Sequence, residues 1–341
     1  MKGPGYSLRL VTAALQGRLP DEPAWPTVLE VANRGWLCPA LYLALRRSGQ
    51  LDDVPVAVRE YLCFLHDRNC ERNRRLREQL VEAVRALNGA TIEPVLLKGA
   101  IHLFTGAPDE LGSRMISDLD IGIAPDEMIR AKCALEELGY RCPGNDRQMA
   151  RPDDAGVIEF HDRPSPRSAP YLADGLRARS PSRQRGGAVA RIPTPTARAL
   201  HLIVHDMIKE GDYWTFRIDL RHLQDLAELA RSIEGIDWQQ LSAVLCDRRA
   251  RNALIVQARA LEDLFGIEVP DNLRAGRAAE RRHSARLVCA SPGPVASVLR
   301  LTGNLSRGVR QLTDGYKWSG SRKLTRQVYK RLASGSSGSR L

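Results

Sequence analysis

Apolar residues in the first half of the chain recur at helical spacing. Residues 7–16 and 39–47 carry short amphipathic periods, closed by Gly17 and Gly49. A longer helix is predicted over 54–87, with Leu76, Leu80, Val84 and Leu87 on one face. Its middle, 68–77, is dense in Arg and Glu and reads as a solvated face. The texture changes at Asn88-Gly89. Residues 94–97 form a short buried-strand pattern ending in Lys98-Gly99-Ala100, with a brief helix to Phe104. Residues 117–123 alternate polar and apolar, as a strand does. Asp126 is expected to cap a helix with Ile129, Cys133 and Leu138 inward and Gly139 at its end. Strands are predicted near 140–142 and over 157–161. Residues 162–193 are rich in Pro, Arg, Ser and Gly and read as a long loop with at most a helical turn or two near 171–178. Thr194-Pro195 then opens a helix, and helices are predicted over 195–210, 217–233, 237–247 and 250–265.

This order predicts an α+β fold: a small mixed β-sheet flanked by N-terminal and C-terminal helical regions. The division is 1–88, helical; 89–193, the α/β core; 194–280, a helical domain; and 281–341, a basic tail with weak helices and a disordered end. A length of 341 residues suits two or three such units at roughly 150 residues each. No apolar run approaches the roughly 20 residues of a membrane span, and no secretory signal is visible. The 7 cysteines are scattered and never in CxxC spacing, which argues against a disulfide framework or a zinc ribbon and for a cytoplasmic protein.

The net charge of +11 is unevenly placed. From residue 281 onward 13 Lys and Arg face Asp314 alone, so the tail carries +12 and the first 280 residues sum to −1. A neutral body does not suggest a polynucleotide groove, and nucleic acid is not expected to bind except through the basic tail.

The chemistry lies in Leu96-Leu97-Lys98-Gly99 followed by Arg114-Met115-Ile116-Ser117-Asp118-Leu119-Asp120-Ile121. On a strand Asp118 and Asp120 project to one face. Two such carboxylates repel unless a cation lies between them, which favours Mg²⁺, then Mn²⁺. Glu159 in Ile158-Glu159-Phe160 repeats the form, and on a neighbouring strand it would complete a three-carboxylate set for two metal ions. Lys98-Gly99, at a strand-to-helix turn, suits a phosphate, with Lys98 as a point charge and Arg114 as a bidentate one. With Ser117, these form the nucleotide-contacting set. The pair stands 19 and 21 residues after Gly99, and Glu159 lies 39 beyond Asp120.

These residues resemble the DNA polymerase β-like nucleotidyltransferase superfamily, and within it a bacterial family of nucleotidyltransferases of unknown substrate. The likeness rests on "LLKG…R…SDLDI…EFH", extends to the helices near 200–206, 219–229 and 236–238, and covers roughly residues 30–265. It implies that Asp118 and Asp120 hold both metals, that Glu159 holds one and helps activate an acceptor hydroxyl, and that Gly99 faces the triphosphate. The turn departs from many superfamily members in having Lys98 and Ala100, not Ser, beside the glycine. The implied reaction moves a nucleoside monophosphate from an NTP, ATP first, to a hydroxyl of a small molecule, peptide or protein, releasing pyrophosphate. Alternatives are a non-catalytic nucleotide- or RNA-binding module, or the same fold moving another phosphate-linked or sugar group in natural-product tailoring. Asp225 or Asp219, in the helical domain, is a candidate acceptor-side base. His201 and His205 share the i, i+4 spacing of a zinc pair but are read as structural, and Tyr213-Trp214 as an aromatic anchor. His161 is placed on the face opposite Glu159.

Overall fold

The computed structural model describes residues 5–20, 22–172, 176–274, 276–290 and 295–306. Helices α1 (Tyr6–Leu15), α2 (Trp25–Arg34), α3 (Cys38–Arg47) and α4 (Val56–Gly89) come first. Strand β1 (Val95–Leu96), α5 (Lys98–Thr105), β2 (Asp118–Gly122), α6 (Met128–Glu137), β3 (Gln148–Met149), β4 (Val157–His161), α7 (Ala169–Leu172), β5 (Ser182–Arg185) and β6 (Ala188–Arg191) follow. The chain then continues through α8 (Pro195–Ile203), a π-helix (Val204–Glu210), α9 (Asp212–Thr215), α10 (Leu220–Arg231), α11 (Trp238–Val244), α12 (Arg248–Phe265), α13 (Asp271–Arg274) and α14 (Arg277–Cys289). Residues 295–306 are also helical, and the expected disordered end of the tail lies outside the described residues. No helix among the described residues is long and apolar enough to cross a membrane.

The fold is α+β, with one mixed sheet in the order β3-β4-β2-β1-β6-β5. Strands β2 and β4 run parallel, with Leu119 opposite Ile158 and Asp120 opposite Glu159. Leu119, Ile121, Ile158 and Phe160 are fully buried on the apolar face. They meet the predicted stripe of α4, Leu76, Leu80, Val84 and Leu87, in one hydrophobic core. A second core joins α1–α3 and the start of α4 to the helices from α8 to α14. Segments 1–88 and 194–280, separate in sequence, therefore share an interior, and α4 passes through both cores.

Five local expectations are corrected. In α6, Ala131 and Leu135 face inward, while Ile129 is 77% exposed and Cys133 is exposed. The start of α6 is fixed not by Asp126 but by Glu127, whose carboxylate accepts from the Ala124 N–H at 2.7 Å. Near 140–142 only an isolated bridge forms, Arg141 to Ala150, and the ladder on the side of β4 away from β2 is made by β3. Within 162–193 lies a hairpin, β5–β6, turning at Gly186 and Gly187 with φ of 52° and 78°. Both angles are left-handed, as a tight hairpin turn needs and glycine permits. Its strand β6 pairs parallel with β1, and the Asn88 side chain both donates to and accepts from the Val189 backbone.

The fifth correction concerns the middle of α4. Glu71, Arg74 and Glu78 do pair on an exposed face. Asn69, Arg72, Asn73 and Gln79 instead turn toward the sheet and donate to backbone carbonyls. Asn73 gives 2.7 Å bonds to Leu111 and Arg114, and Asn69 bonds Gly112 and Arg114 at 2.7 and 3.0 Å. The Arg72 guanidinium binds the Ile116 and Ala155 carbonyls, and Gln79 donates to Gly156 at 2.7 Å. These bonds hold the segments that lead into β2 and β4. Asn73→Ala, which strands two carbonyls beside a side chain of 0% exposure, is expected to cost about 2–3 kcal/mol in urea unfolding. Arg74→Ala on the exposed face should change stability by less than about 0.5 kcal/mol.

Candidate active site

The β2–β4 register sets Asp120 beside Glu159. His161 is two residues beyond Glu159, so a strand's alternation places both on the same face; the opposite-face expectation for His161 is thereby corrected. Asp120, Glu159 and His161 bring one ligand atom each to within 4.8 Å of one another. Asp120 is 1% exposed. Its Oδ1 accepts from Lys98 Nζ at 2.7 Å and meets His161 Nε2 at 2.6 Å. Burial alone would raise this carboxyl; the His161 imidazole and the Lys98 ammonium outweigh it and hold the group well below the usual carboxylate range. Glu159 is half-buried, and its carboxylate has no side-chain hydrogen bond among the described residues.

The turn into α5 is built differently from the expectation. The left-handed residue is Lys98, with φ 45°, not Gly99. A non-glycine residue held there costs of order 1–2 kcal/mol, a strain typical of functional turns. It directs the ammonium onto Asp120. Gly99 is required by packing: a Cβ at that position would lie 2.8 Å from Ile116 Cγ2, and Ile116 is buried. Asp118 starts β2 on the same face as Asp120, but its Oδ1 accepts from the Ser117 hydroxyl at 2.8 Å, and it is not one of the three clustered groups.

Lys98 also lines a cleft of about 260 Å³ between α5 with the 113–115 segment on one side and α3, α8 and α10 on the other, with Arg114, Arg198, His201, Asp225 and Glu228 among its other residues. Arg114 and Asp225 form an ion pair across it, their side chains 12% and 19% exposed. Asp219 does not reach this cleft. It caps α10, accepting from the His222 N–H at 3.1 Å, and borders a different hollow with Asp212 and Arg217. Burial first, and then Lys98, pushes the His201 imidazole down to about 3, so it is neutral at physiological pH. Burial and then Asp225 raise Glu228.

Arg198, Glu228 and Trp36 also line the cleft without having been marked in the sequence. A signal existed for Arg198, which stands three residues before His201 on the same helix face. Tyr213 and Trp214 act as an anchor: the Arg282 guanidinium lies 4.1 and 5.2 Å from their rings. Arg286, also from the basic segment, is 1% exposed and donates to the Arg217 carbonyl.

The model of a family described as uncharacterised nucleotidyltransferases matches residues 21–266. The chain belongs to this nucleotidyltransferase family. No curated protein and no solved structure matches the chain. The family match takes in both acid-bearing strands, α5 and every residue named in the cleft, and it ends before the basic segment. Membership gives the protein a general nucleotidyl-transfer role with an NTP as substrate. Divalent metal ions are typical of nucleotidyltransferases, and the acidic cluster suits one. Asp120 already holds an ammonium on the oxygen a cation would take, and Glu159 offers an unpaired carboxylate next to it.

Gly99→Ala should lower stability by about 1–3 kcal/mol, through overpacking against Ile116, in thermal or denaturant unfolding. The His201 ring should show no protonation shift by NMR from about pH 5 to pH 8, whereas an unperturbed imidazole titrates within that range.

Proposed function

We propose that this family member transfers a nucleoside monophosphate from an NTP, ATP first, to a hydroxyl of a small molecule, peptide or protein, with release of pyrophosphate. The observation that carries the reading is the register of Asp120 with Glu159 on adjacent parallel strands, joined through Lys98 to a cleft that also holds Arg114, Arg198 and Arg221.

Asp118, Asp120 and Glu159 are the proposed ligands for Mg²⁺ or Mn²⁺. When bound, such ions neutralise phosphate charge and acidify an acceptor hydroxyl. Lys98 then has a second use. In the structure its ammonium satisfies Asp120; were Asp120 to hold a divalent cation, the Lys98 ammonium would be free to face the phosphates, where it would stabilise the departing pyrophosphate. The Gly99 backbone N–H, at the start of α5, has no intrahelical acceptor and suits a phosphate oxygen, whereas the Ala100 N–H donates to the Leu97 carbonyl at 3.0 Å. Ser117 and Arg114 are assigned to the nucleotide. The acceptor hydroxyl attacks the α-phosphorus, the bond to the bridging oxygen of pyrophosphate breaks, and the hydroxyl proton passes to Glu159. Asp225, paired with Arg114 on the far wall, is assigned to the acceptor side, while Asp219 is left to its capping role. A cleft of about 260 Å³ admits a small molecule or one side chain of a larger acceptor. All 7 thiols are free, which suits the reducing cytoplasm, where we place the protein.

The test is transfer of label from α-³²P-ATP with Mg²⁺ to a panel of metabolites and peptides. Asp120→Asn and Glu159→Gln should each lower transfer about 10³-fold or more while the protein stays folded by circular dichroism. Full activity in Asp120→Asn would overturn the assignment. Lys98→Ala should lower kcat more than it raises the KM for ATP, because its contact with phosphate strengthens as pyrophosphate leaves.

A further inference from the structure

Behind the cleft wall, outside the acidic cluster, lies a second group of ligand-type side chains. His205 and Asp206 come from the π-helix and His222 from α10; their ligand atoms lie within 4.8 Å of one another. Both imidazoles use Nδ1 toward a single oxygen, Asp206 Oδ1, at 2.9 Å from His205 and 2.8 Å from His222. The two rings stand nearly perpendicular, with centroids 5.7 Å apart. Asp206 is 3% exposed and His222 5%. The other carboxylate oxygen, Asp206 Oδ2, is buried with no hydrogen-bond partner among the described residues.

A hydrogen-bonded triad explains only part of this arrangement. It leaves a buried carboxylate oxygen unpaired, a cost of about 1–3 kcal/mol or more for a charged group. It also gives no reason for a seven-residue π-helix, a conformation that is rare and concentrates at functional sites. A cation bound by both carboxylate oxygens of Asp206 would pair Oδ2, and a ligand set drawn from Val204–Glu210 would give the π-helix a role. Donor atoms of a tetrahedral site with bonds near 2.0–2.1 Å lie about 3.3 Å apart, so each imidazole nitrogen need draw back from Asp206 Oδ1 by only about half an ångström. Two imidazoles on such an ion have ring centroids about 5 Å apart, close to the separation seen. Asp219 stands next to the group, with Oδ2 3.9 Å from His222 Nδ1, in position for the fourth place directly or through water.

The geometry points to a structural divalent transition-metal site, Zn²⁺ by donor chemistry, formed by His205, Asp206 and His222. Two imidazoles with one carboxylate suit zinc, whereas Mg²⁺ and Ca²⁺ take oxygen donors. The i, i+4 pair of the sequence is thus replaced: His205 partners His222, and the His201 ring is 6.5 Å from that of His205. The site pins the π-helix to α10. The same two lengths of helix carry Arg198 and His201 just upstream and Asp225 just downstream, so the metal would brace the cleft wall without entering the reaction. The site does not depend on the nucleotidyl-transfer assignment.

The test uses the full chain, produced without a polyhistidine tag and dialysed against micromolar Zn²⁺. Elemental analysis should give one Zn²⁺ per chain. A chelator should lower the melting temperature by about 5 °C, with recovery on Zn²⁺ but not Mg²⁺. Co²⁺ in place of zinc should show the visible absorption of a tetrahedral site. His222→Gln, which keeps a polar side chain of similar reach, should lose the metal and the chelator response, while Asp120→Asn keeps both. Zinc-free wild-type protein whose melting temperature ignores Zn²⁺ would overturn the assignment, as would zinc retained in His222→Gln. Zinc lost in Asp120→Asn would place the ion in the acidic cluster instead.

Discussion

Loop carbonyls need donors, and in this fold one long helix supplies them. The segments 111–117 and 155–156 lead into the strands that bear Asp120 and Glu159, yet much of their backbone has no ladder partner. Asn69, Arg72, Asn73 and Gln79 of α4 fill that gap from one side. An unsatisfied buried carbonyl is expensive, so these bonds leave the two segments little freedom. The spacing between the acid-bearing strands is then set twice, by the β-ladder and by the helix behind it.

Charge balance at Asp120 follows from that spacing. A buried carboxylate needs a partner, and the structure gives it two on one oxygen, Lys98 and His161. The strained backbone of Lys98 shows which requirement won: the turn accepts a left-handed lysine so that the ammonium reaches Asp120. The ammonium occupies the oxygen that a divalent cation at this cluster would take.

The acid-x-acid strand, the stripe of α4 and the proline-capped start of α8 were legible in the sequence because each rests on local periodicity or capping. The lateral neighbours of those elements were harder to read. The β5–β6 hairpin was hidden because its strands, Ser182–Arg185 and Ala188–Arg191, are only four residues each and the first is wholly polar, although Gly186-Gly187 advertised the turn. Arg72 and Asn73 read as solvated because composition does not distinguish water from a carbonyl as partner. His161 was misplaced although strand alternation alone puts it beside Glu159. The contact of Lys98 with Asp120 depends on the pairing of β1 with β2, Leu96 opposite Ile121, which no single segment encodes.

Helix α4 is 34 residues long, about 50 Å at 1.5 Å per residue, and both hydrophobic cores are built on it. Two bodies threaded on one stiff rod cannot hinge about an axis that would bend the rod. The acid-bearing sheet and the helical body are thereby tied along one shaft, and bending between the two cores is resisted by the unbroken helix.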